Sequence, residues 1–328
     1  LEGPFGDHTG YYSQDGDYPV FHVTAITHRK NPVYLTTIVG IPPQEDFYLG
    51  KATERIFLPL LKTQLPEIVD MDIPVKEVFH NCVIVSIEKR YPMQSRRLMS
   101  ALWGLGQMSF VKTIVTVDAD INVHDYEKVA TYLLNHVDFA TDLFFSEGVL
   151  DVLNHGSDQM LYGSKLGIDL TKKIAGEPGY EKSSPDSIKE TDLPTTEQVQ
   201  ETFSWVKTCK ILELQSKRPL LIVALDKIAP HQGKEFILSF LENPDFSAIE
   251  IVMVLEGHVN IDDISTVMWK FFNNIDPKRD CYFVAQRLGI DATQKFPEEG
   301  YQQDWPEEIE MPANIKTQVD LKWGNLFK

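Results

Sequence analysis

Strands that alternate with helices predict an α/β fold with open, mostly parallel sheets, and two observations carry that reading. Short apolar runs at Cys82–Ile87, Ile114–Val117 and Leu143–Phe145 are separated by stretches with helical spacing of apolar residues. The same order of runs returns 138 positions later, between residues 221 and 283. In front of both lies a stretch of another kind, in which a glycine- and proline-rich corner feeds an alternating run from Tyr18 to Thr27.

The corner, Leu1-Glu2-Gly3-Pro4-Phe5-Gly6-Asp7-His8-Thr9-Gly10-Tyr11-Tyr12, packs two carboxylates, a histidine and two tyrosines into a short span. Glycine reaches positive φ without a Cβ clash and proline fixes its own φ, so such a corner can turn sharply and bring Glu2 toward Asp7. Two carboxyls that share a site push their pKa values apart, leaving one ionised and one protonated at neutral pH, which equips a general acid. A solvated loop between strands uses the same residue types and is the more ordinary source of the pattern. Tyr11 and Tyr12 are expected to anchor the corner by packing, with one hydroxyl bonded to a carboxylate.

Val20–Ile26 and Pro32–Val39 read as a hairpin about the turn His28-Arg29-Lys30-Asn31, and Ile41–Asp46, with two prolines, breaks the sheet. Lys51–Gln64 places Ile56, Leu60 and Leu61 on helical spacing until Pro66 stops it. Cys82–Ile87 is a buried-type strand, Ser95–Met108 a helix, Ile114–Val117 a strand, Asp125–Leu134 a helix and Leu143–Phe145 a strand. Asp118 and Asp120 end a strand, a place where α/β folds bind ligands, while Asp120 or Asn122 also suits the cap of the next helix.

Shifted by 138, residues 83–145 fall on 221–283 without a gap, with 13 identities in 63 positions. Lys89 meets Lys227, Gln94 meets Gln232, Asp125 meets Asp263, Asn135 meets Asn273 and Phe145 meets Phe283. The shift then becomes 122, so that Gly167-Ile168-Asp169 meets Gly289-Ile290-Asp291 and Lys173 meets Lys295. Sixteen residues are therefore missing from the second copy, and they come from the segment Ser146–Tyr162. A duplicated α/β domain is implied, whose second copy is expected to be structural and to widen an oligomer interface. Gly176–Thr196, rich in Pro, Ser, Glu and Lys, reads as a linker.

Glu2-Gly-Pro-Phe-Gly-Asp7-His-Thr-Gly-Tyr-Tyr12, with Pro19-Val20-Phe21 and the later Leu65-Pro66-Glu67-Ile68-Val69-Asp70, resembles the UbiD-type family. These are 3-polyprenyl-4-hydroxybenzoate decarboxylase-like enzymes, which act reversibly with prenylated FMN. The resemblance implies that Glu2 pairs with an arginine and that Asp7 is the proton donor replacing the departing carboxylate. It implies a substrate pocket to which His8, Leu49, Leu150 and Leu153 contribute, although Leu49 also reads as an ordinary core leucine. The 20–39 hairpin becomes the end of a split β-barrel facing the flavin, segment 146–162 the part closing over the substrate, and Ala313–Trp323 a helix reaching toward a neighbouring subunit. The expected domains are residues 1–45, the end of the barrel; 46–175, the first α/β sandwich domain; 176–205, the linker; and 206–328, the degenerate second copy with its closing helix.

Aspartate at position 7 implies an aromatic, hydroxybenzoate-like acid as substrate, in ubiquinone or menaquinone biosynthesis. Prenylated FMN with a divalent metal, Mn2+ or Mg2+, is implied for the whole enzyme. The family's cofactor-binding residues precede the motif, so these residues read as the C-terminal part of a longer enzyme. Alone, the chain is expected to hold no metal ligands, to retain no flavin and to be inactive. A homo-oligomer, dimer or higher, is implied, and a lipophilic substrate would bring it into peripheral contact with a membrane.

The net charge of −17 and the lack of basic stripes argue against nucleic acid as a partner. No apolar run approaches the length of a membrane span. Cys82, Cys209 and Cys281 are odd in number and without CxxC spacing, as expected of reduced thiols in the cytoplasm. His80, His124, His136, His155, His231 and His258 lack metal-ligand spacing, and His22 and His28 read as strand and turn residues. Arg96 and Arg97 point in different directions on one helix and read as a solvated face. Two other functions stay open on sequence: a non-catalytic folding and oligomerisation module, and a flavin-binding redox protein.

Overall fold

The computed structural model describes residues 1–34, 36, 39–76, 78–181, 193–212, 214 and 216–326, with side chains to residue 324. They fall into two units, one of residues 1–47 with those from 306 onward, the other of residues 48–305. Residues 182–192 of the predicted linker lie outside the described residues.

The larger unit begins within α1 (Asp46–Gln64) and contains two five-stranded mixed sheets of one topology. The first is built from β1 (Ile68–Asp72), β2 (Cys82–Ile87), β3 (Thr113–Asp118), β4 (Leu143–Val149) and β5 (Tyr162–Asp169), ordered β1-β2-β3-β5-β4. The second uses β6 (Val206–Leu212), β7 (Leu220–Leu225), β8 (Ile251–Glu256), β9 (Cys281–Val284) and β10 (Arg287–Asp291), ordered β6-β7-β8-β10-β9. In each, the three middle strands are parallel and the outer two antiparallel. A parallel strand is covered on both faces and so reads as a continuous apolar run, which is why Cys82–Ile87 is buried throughout.

The duplication extends to register. Cys82 pairs with Thr113 and, 138 positions on, Leu220 pairs with Ile251; Leu143 pairs with Ile168, and Cys281 with Ile290. Helices α2 (Gln94–Trp103) and α3 (Tyr126–His136) belong to the first repeat. The second holds α4 (Thr196–Thr202), α5 (Gln232–Glu242), α6 (Ile264–Asn274) and α7 (Pro277–Asp280).

The repeats pack on one another in a reciprocal way. Phe145 and Phe283, equivalent residues, meet edge to face at 6.2 Å, and one apolar cluster draws Ile84 and Val115 from the first repeat and Ile251, Phe272 and Leu288 from the second. Asn273 accepts from Asn81 Nδ2, while its counterpart Asn135 accepts from the Lys217 amide. The missing sixteen residues are where this correspondence fails. In the first repeat β4 and β5 are joined by a strap, residues 150–161, whereas only Ala285 and Gln286 join β9 to β10.

Several local expectations are corrected. Of the hairpin expected over 20–26 and 32–39, no strand is formed among the described residues 18–34, 36 and 39, and Leu35, Thr37 and Ile38 lie outside the described residues. Val20, Phe21, Val23, Ile26 and Val33 are all exposed, and a two-stranded ribbon without a covering face is marginal in water. The helix expected over 95–108 stops at Trp103, with Gly104 as its cap, and a separate 3-10 turn covers Gly106–Phe110. The α3 cap is Asp125, whose Oδ1 accepts the Lys128 amide, not Asp120 or Asn122. Arg96 departs from the expected solvated face, donating to the Thr141 carbonyl and lying over Phe144, whereas Arg97 stays exposed while pairing with buried Glu67. Among the described residues no helix is long and apolar enough to cross a membrane.

Candidate active site

The corner is a tight β-hairpin. Glu2 and Gly16 exchange backbone hydrogen bonds of 2.7 and 2.9 Å at its open end, and Gly6 bridges Tyr12 nearer the tip. The tip is a turn in which the Asp7 carbonyl accepts the Gly10 amide at 3.0 Å, and Gly10 has φ 85°, a conformation suited to glycine. Residues 307–309 run alongside: the Glu307 carbonyl accepts the Tyr12 amide, and the Gly10 carbonyl accepts the Ile309 amide, each at 2.9 Å. Gly6 leaves room for this third segment, since a Cβ there would sit 2.9 Å from Ile309 Cδ1. Of the two tyrosines expected to anchor the corner, Tyr11 is buried and Tyr12 half-buried.

Asp7 is the most closely held acid of the corner. Its Oδ1 accepts the His8 amide at 2.8 Å and lies 2.9 Å from His8 Nδ1, with both side chains about one-quarter exposed. Backbone and ring together fix the carboxyl's orientation, and the imidazole can exchange a proton with it. Glu2 sits five residues away at the exposed mouth of the hairpin, so the ladder sets the two carboxylates at its opposite ends.

Within the larger unit, Leu49 lies on α1 and is exposed, so its reading as a core leucine is corrected: the apolar stripe of that helix is itself largely uncovered at Ile56, Phe57 and Leu60. Leu150 is buried at the start of the strap, and Leu153 is half-buried, its amide bonded to Asp151 Oδ1.

A second cluster escaped the sequence. His124 Nδ1 lies 2.7 Å from Asp72 Oδ1 and Nε2 lies 3.2 Å from Asp70 Oδ2; Tyr126 donates to Asp72 Oδ2 at 2.8 Å, and Lys51 pairs with Asp72 as well. These residues come from α1, β1 and the start of α3, and they fasten those elements together. The only hint in sequence was the alternation of Asp70 and Asp72, which places both on one face of a strand.

Asp7 and His8 bring a carboxyl and an imidazole into direct contact at the hairpin tip. Among the described residues, no group of three or more His, Cys, Asp or Glu is placed to hold a metal ion.

Comparison with known proteins places the chain in a family. The model of the 3-octaprenyl-4-hydroxybenzoate carboxy-lyase C-terminal domain matches residues 47–170 and 190–300, and that of the same enzyme's Rift-related domain matches residues 1–42. An uncharacterized protein of Helicobacter pylori (strain J99) is 36% identical over 341 residues, covering 98% of this chain and 51% of that protein. One of Archaeoglobus fulgidus is 49% identical over 208 residues, covering 63% and 43%. The chain thus spans about half the length of the curated relatives it matches. Among solved structures, the UbiD-class enzyme HmfF from Pelotomaculum thermopropionicum in complex with FMN is similar at 28% identity and a TM-score of 0.45, covering 60% of this chain and 43% of that one. The closed form of Sedimentibacter hydroxybenzoicus vanillic acid decarboxylase has 24% identity and a TM-score of 0.47, covering 62% and 42%.

Proposed function

The chain belongs to the 3-octaprenyl-4-hydroxybenzoate carboxy-lyase family, and on that premise we propose that it is part of a non-oxidative decarboxylase of aromatic acids. The observation that carries the reading is the carboxyl of Asp7, held at a hairpin tip by the amide and ring of His8. Prenylated FMN, when bound, supplies the electron sink that decarboxylation of an aromatic acid requires.

Loss of carbon dioxide leaves a carbon that must be protonated, and a general acid does this from within hydrogen-bond reach. Asp7 is that acid. His8 orients the carboxyl and reprotonates it from solvent between turnovers, because its ring lies against the carboxyl and an imidazole can carry a proton both ways. Glu2, exposed at the hairpin mouth, is free to pair with an arginine supplied from elsewhere in the enzyme. Leu49, Leu150 and Leu153 are the pocket residues that we favour in the larger unit, where Leu49 is exposed and Leu150 buried. A polyprenyl-hydroxybenzoate or a naphthoate of quinone biosynthesis is the substrate class we favour, in an enzyme that works as a homo-oligomer with a divalent metal beside the flavin phosphate.

The test is flavin content and carbon dioxide release, measured for this chain beside the longer protein, each made with a supply of prenylated FMN. Flavin and activity confined to the longer protein are expected. Activity without Asp7's carboxyl, or none in the longer protein with any aromatic acid offered, would defeat the proposal.

A further inference from the structure

We propose that the second repeat is a seat that holds the strap 150–161 of the first repeat in one conformation, as a fixed wall of the substrate pocket. The strap's place at a pocket rests on the function proposed above; its seating does not.

The middle of the strap is polar yet buried, with Asn154, His155 and Ser157 each at most 6% exposed, while Val152, Met160 and Leu161 toward its ends are exposed. A loop usually runs over the surface because its backbone groups need partners, so a buried one must find them in protein. Here four successive carbonyls are satisfied from the second repeat and the segment that follows it. His155 O accepts Tyr301 O–H at 2.9 Å, Gly156 O accepts Arg279 Nη2 at 2.7 Å, Ser157 O accepts Gln303 Nε2 at 2.7 Å and Asp158 O accepts the Gln302 amide at 3.1 Å.

Side chains follow the backbone. Arg279 also pairs with Asp158, His155 Nε2 lies 3.1 Å from Asn274 Oδ1, and the His155 ring meets Trp305 edge to face at 4.9 Å. Gly156 fits where nothing larger could: a Cβ there would stand 2.6 Å from the Asn273 carbonyl oxygen and 2.9 Å from that of Ile275. From the first repeat the strap receives Lys112 Nζ, which donates to Asn154 Oδ1 at 2.9 Å. A segment tied by its own backbone to a folded domain opens only at the cost of those bonds, unlike a lid that exchanges them for water. The asymmetry of the duplication then has a purpose: one repeat keeps the strap and the other, having lost its own, offers the surface that receives it.

The experiment is hydrogen exchange on the complete protein, comparing wild type with Tyr301→Phe/Gln303→Leu, which removes two of the four donors, and with Asp158→Asn. The expected result is exchange at least about tenfold faster at residues 150–161 with β2, β3, β7 and β8 unchanged. In the longer enzyme KM for the aromatic acid rises while kcat holds, as expected when a positioning element is loosened. Unchanged exchange in the strap overturns the seat, and so does a uniform rise across both sheets, which would make these residues general supports of the fold. Local loosening with KM unmoved overturns the wall. A longer enzyme that releases no carbon dioxide in its wild-type form defeats the functional reading while leaving the exchange result standing.

Discussion

Lys89 and Lys227, 138 positions apart, make the same three hydrogen bonds. Lys89 Nζ donates to Thr171 Oγ1 at 2.9 Å, the Lys172 carbonyl at 3.0 Å and Glu177 at 2.6 Å. Lys227 Nζ donates to Thr293 Oγ1 at 3.2 Å, the Gln294 carbonyl at 2.8 Å and Glu299 at 2.8 Å. Each glutamate also accepts the amide just ahead of a helix, from Met93 before α2 and His231 before α5, both at φ 64°. A helix start leaves amides without intrahelical partners, so a carboxylate from a distant segment caps it and a lysine neutralises the carboxylate.

Replacing either lysine with methionine should therefore strand a buried carboxylate. With side chains no more than 6% exposed, the loss is expected to be about 3–5 kcal/mol in urea unfolding. Adding Glu177→Gln to Lys89→Met, or Glu299→Gln to Lys227→Met, should recover part of it. A loss below about 1 kcal/mol would be that of a surface pair and would refute the capping role.

Lys112 gives a pH dependence. Burial pushes its ammonium down to about 7, against the pull of Asp276 and Asp280, with Arg279 and Lys165 adding to the depression. The folded protein then binds fewer protons than the unfolded chain between pH 7 and the ordinary lysine range near 10.5. Stability from this group accordingly rises with pH across that window, by at most about 1.4 kcal/mol per pH unit, and its full cost is borne below pH 7. Lys112→Met should flatten the stability profile between pH 7 and 9.5 relative to wild type. Parallel profiles for the two proteins would count against it.

Gly156→Ala tests the closeness of strap and seat. The added methyl meets two backbone carbonyls, which cannot swing aside as a side chain would. A destabilisation of about 1–3 kcal/mol is expected in denaturant titrations, as for overpacked interiors. A neutral substitution would mean that the strap has slack.

Asp7→Asn in the longer enzyme keeps the size of the side chain and removes its proton. Decarboxylation is expected to fall by a factor of about 10²–10⁴, the contribution typical of a positioned general acid, with flavin content maintained. Turnover at the wild-type rate would assign protonation to another group.

The middle strands were legible because parallel strands covered on both sides have to be apolar, as Cys82–Ile87 and Ile114–Val117 are. The duplication was legible for a related reason, since those runs repeat at a fixed spacing. β5 was not, because Tyr162–Asp169 contains Gly163, Ser164, Lys165 and Gly167. Its buried lysine is satisfied by the Ser109 and Val111 carbonyls, and Gly167 makes room for Met99, neither of which leaves a local trace. β1 is a short edge strand with an irregular register and an exposed Val69. Residues 20–34 erred the other way, with an alternating pattern that has no sheet to join among the described residues. The contact of Asp7 with His8 is local, since the two are neighbours in sequence. His124 meets carboxylates more than fifty positions away, and spacing rules do not reach that far.

Phe145 against Phe283 is the contact at which two copies of one ancestral surface face each other inside a single polypeptide. In a homodimer every edit to the gene is made twice, so a subunit could not discard its strap without its twin losing one too. Covalent union removes that constraint, and it makes the pairing independent of dilution. The two halves can then differ, as they do between β4 and β5, where twelve residues stand against the two between β9 and β10.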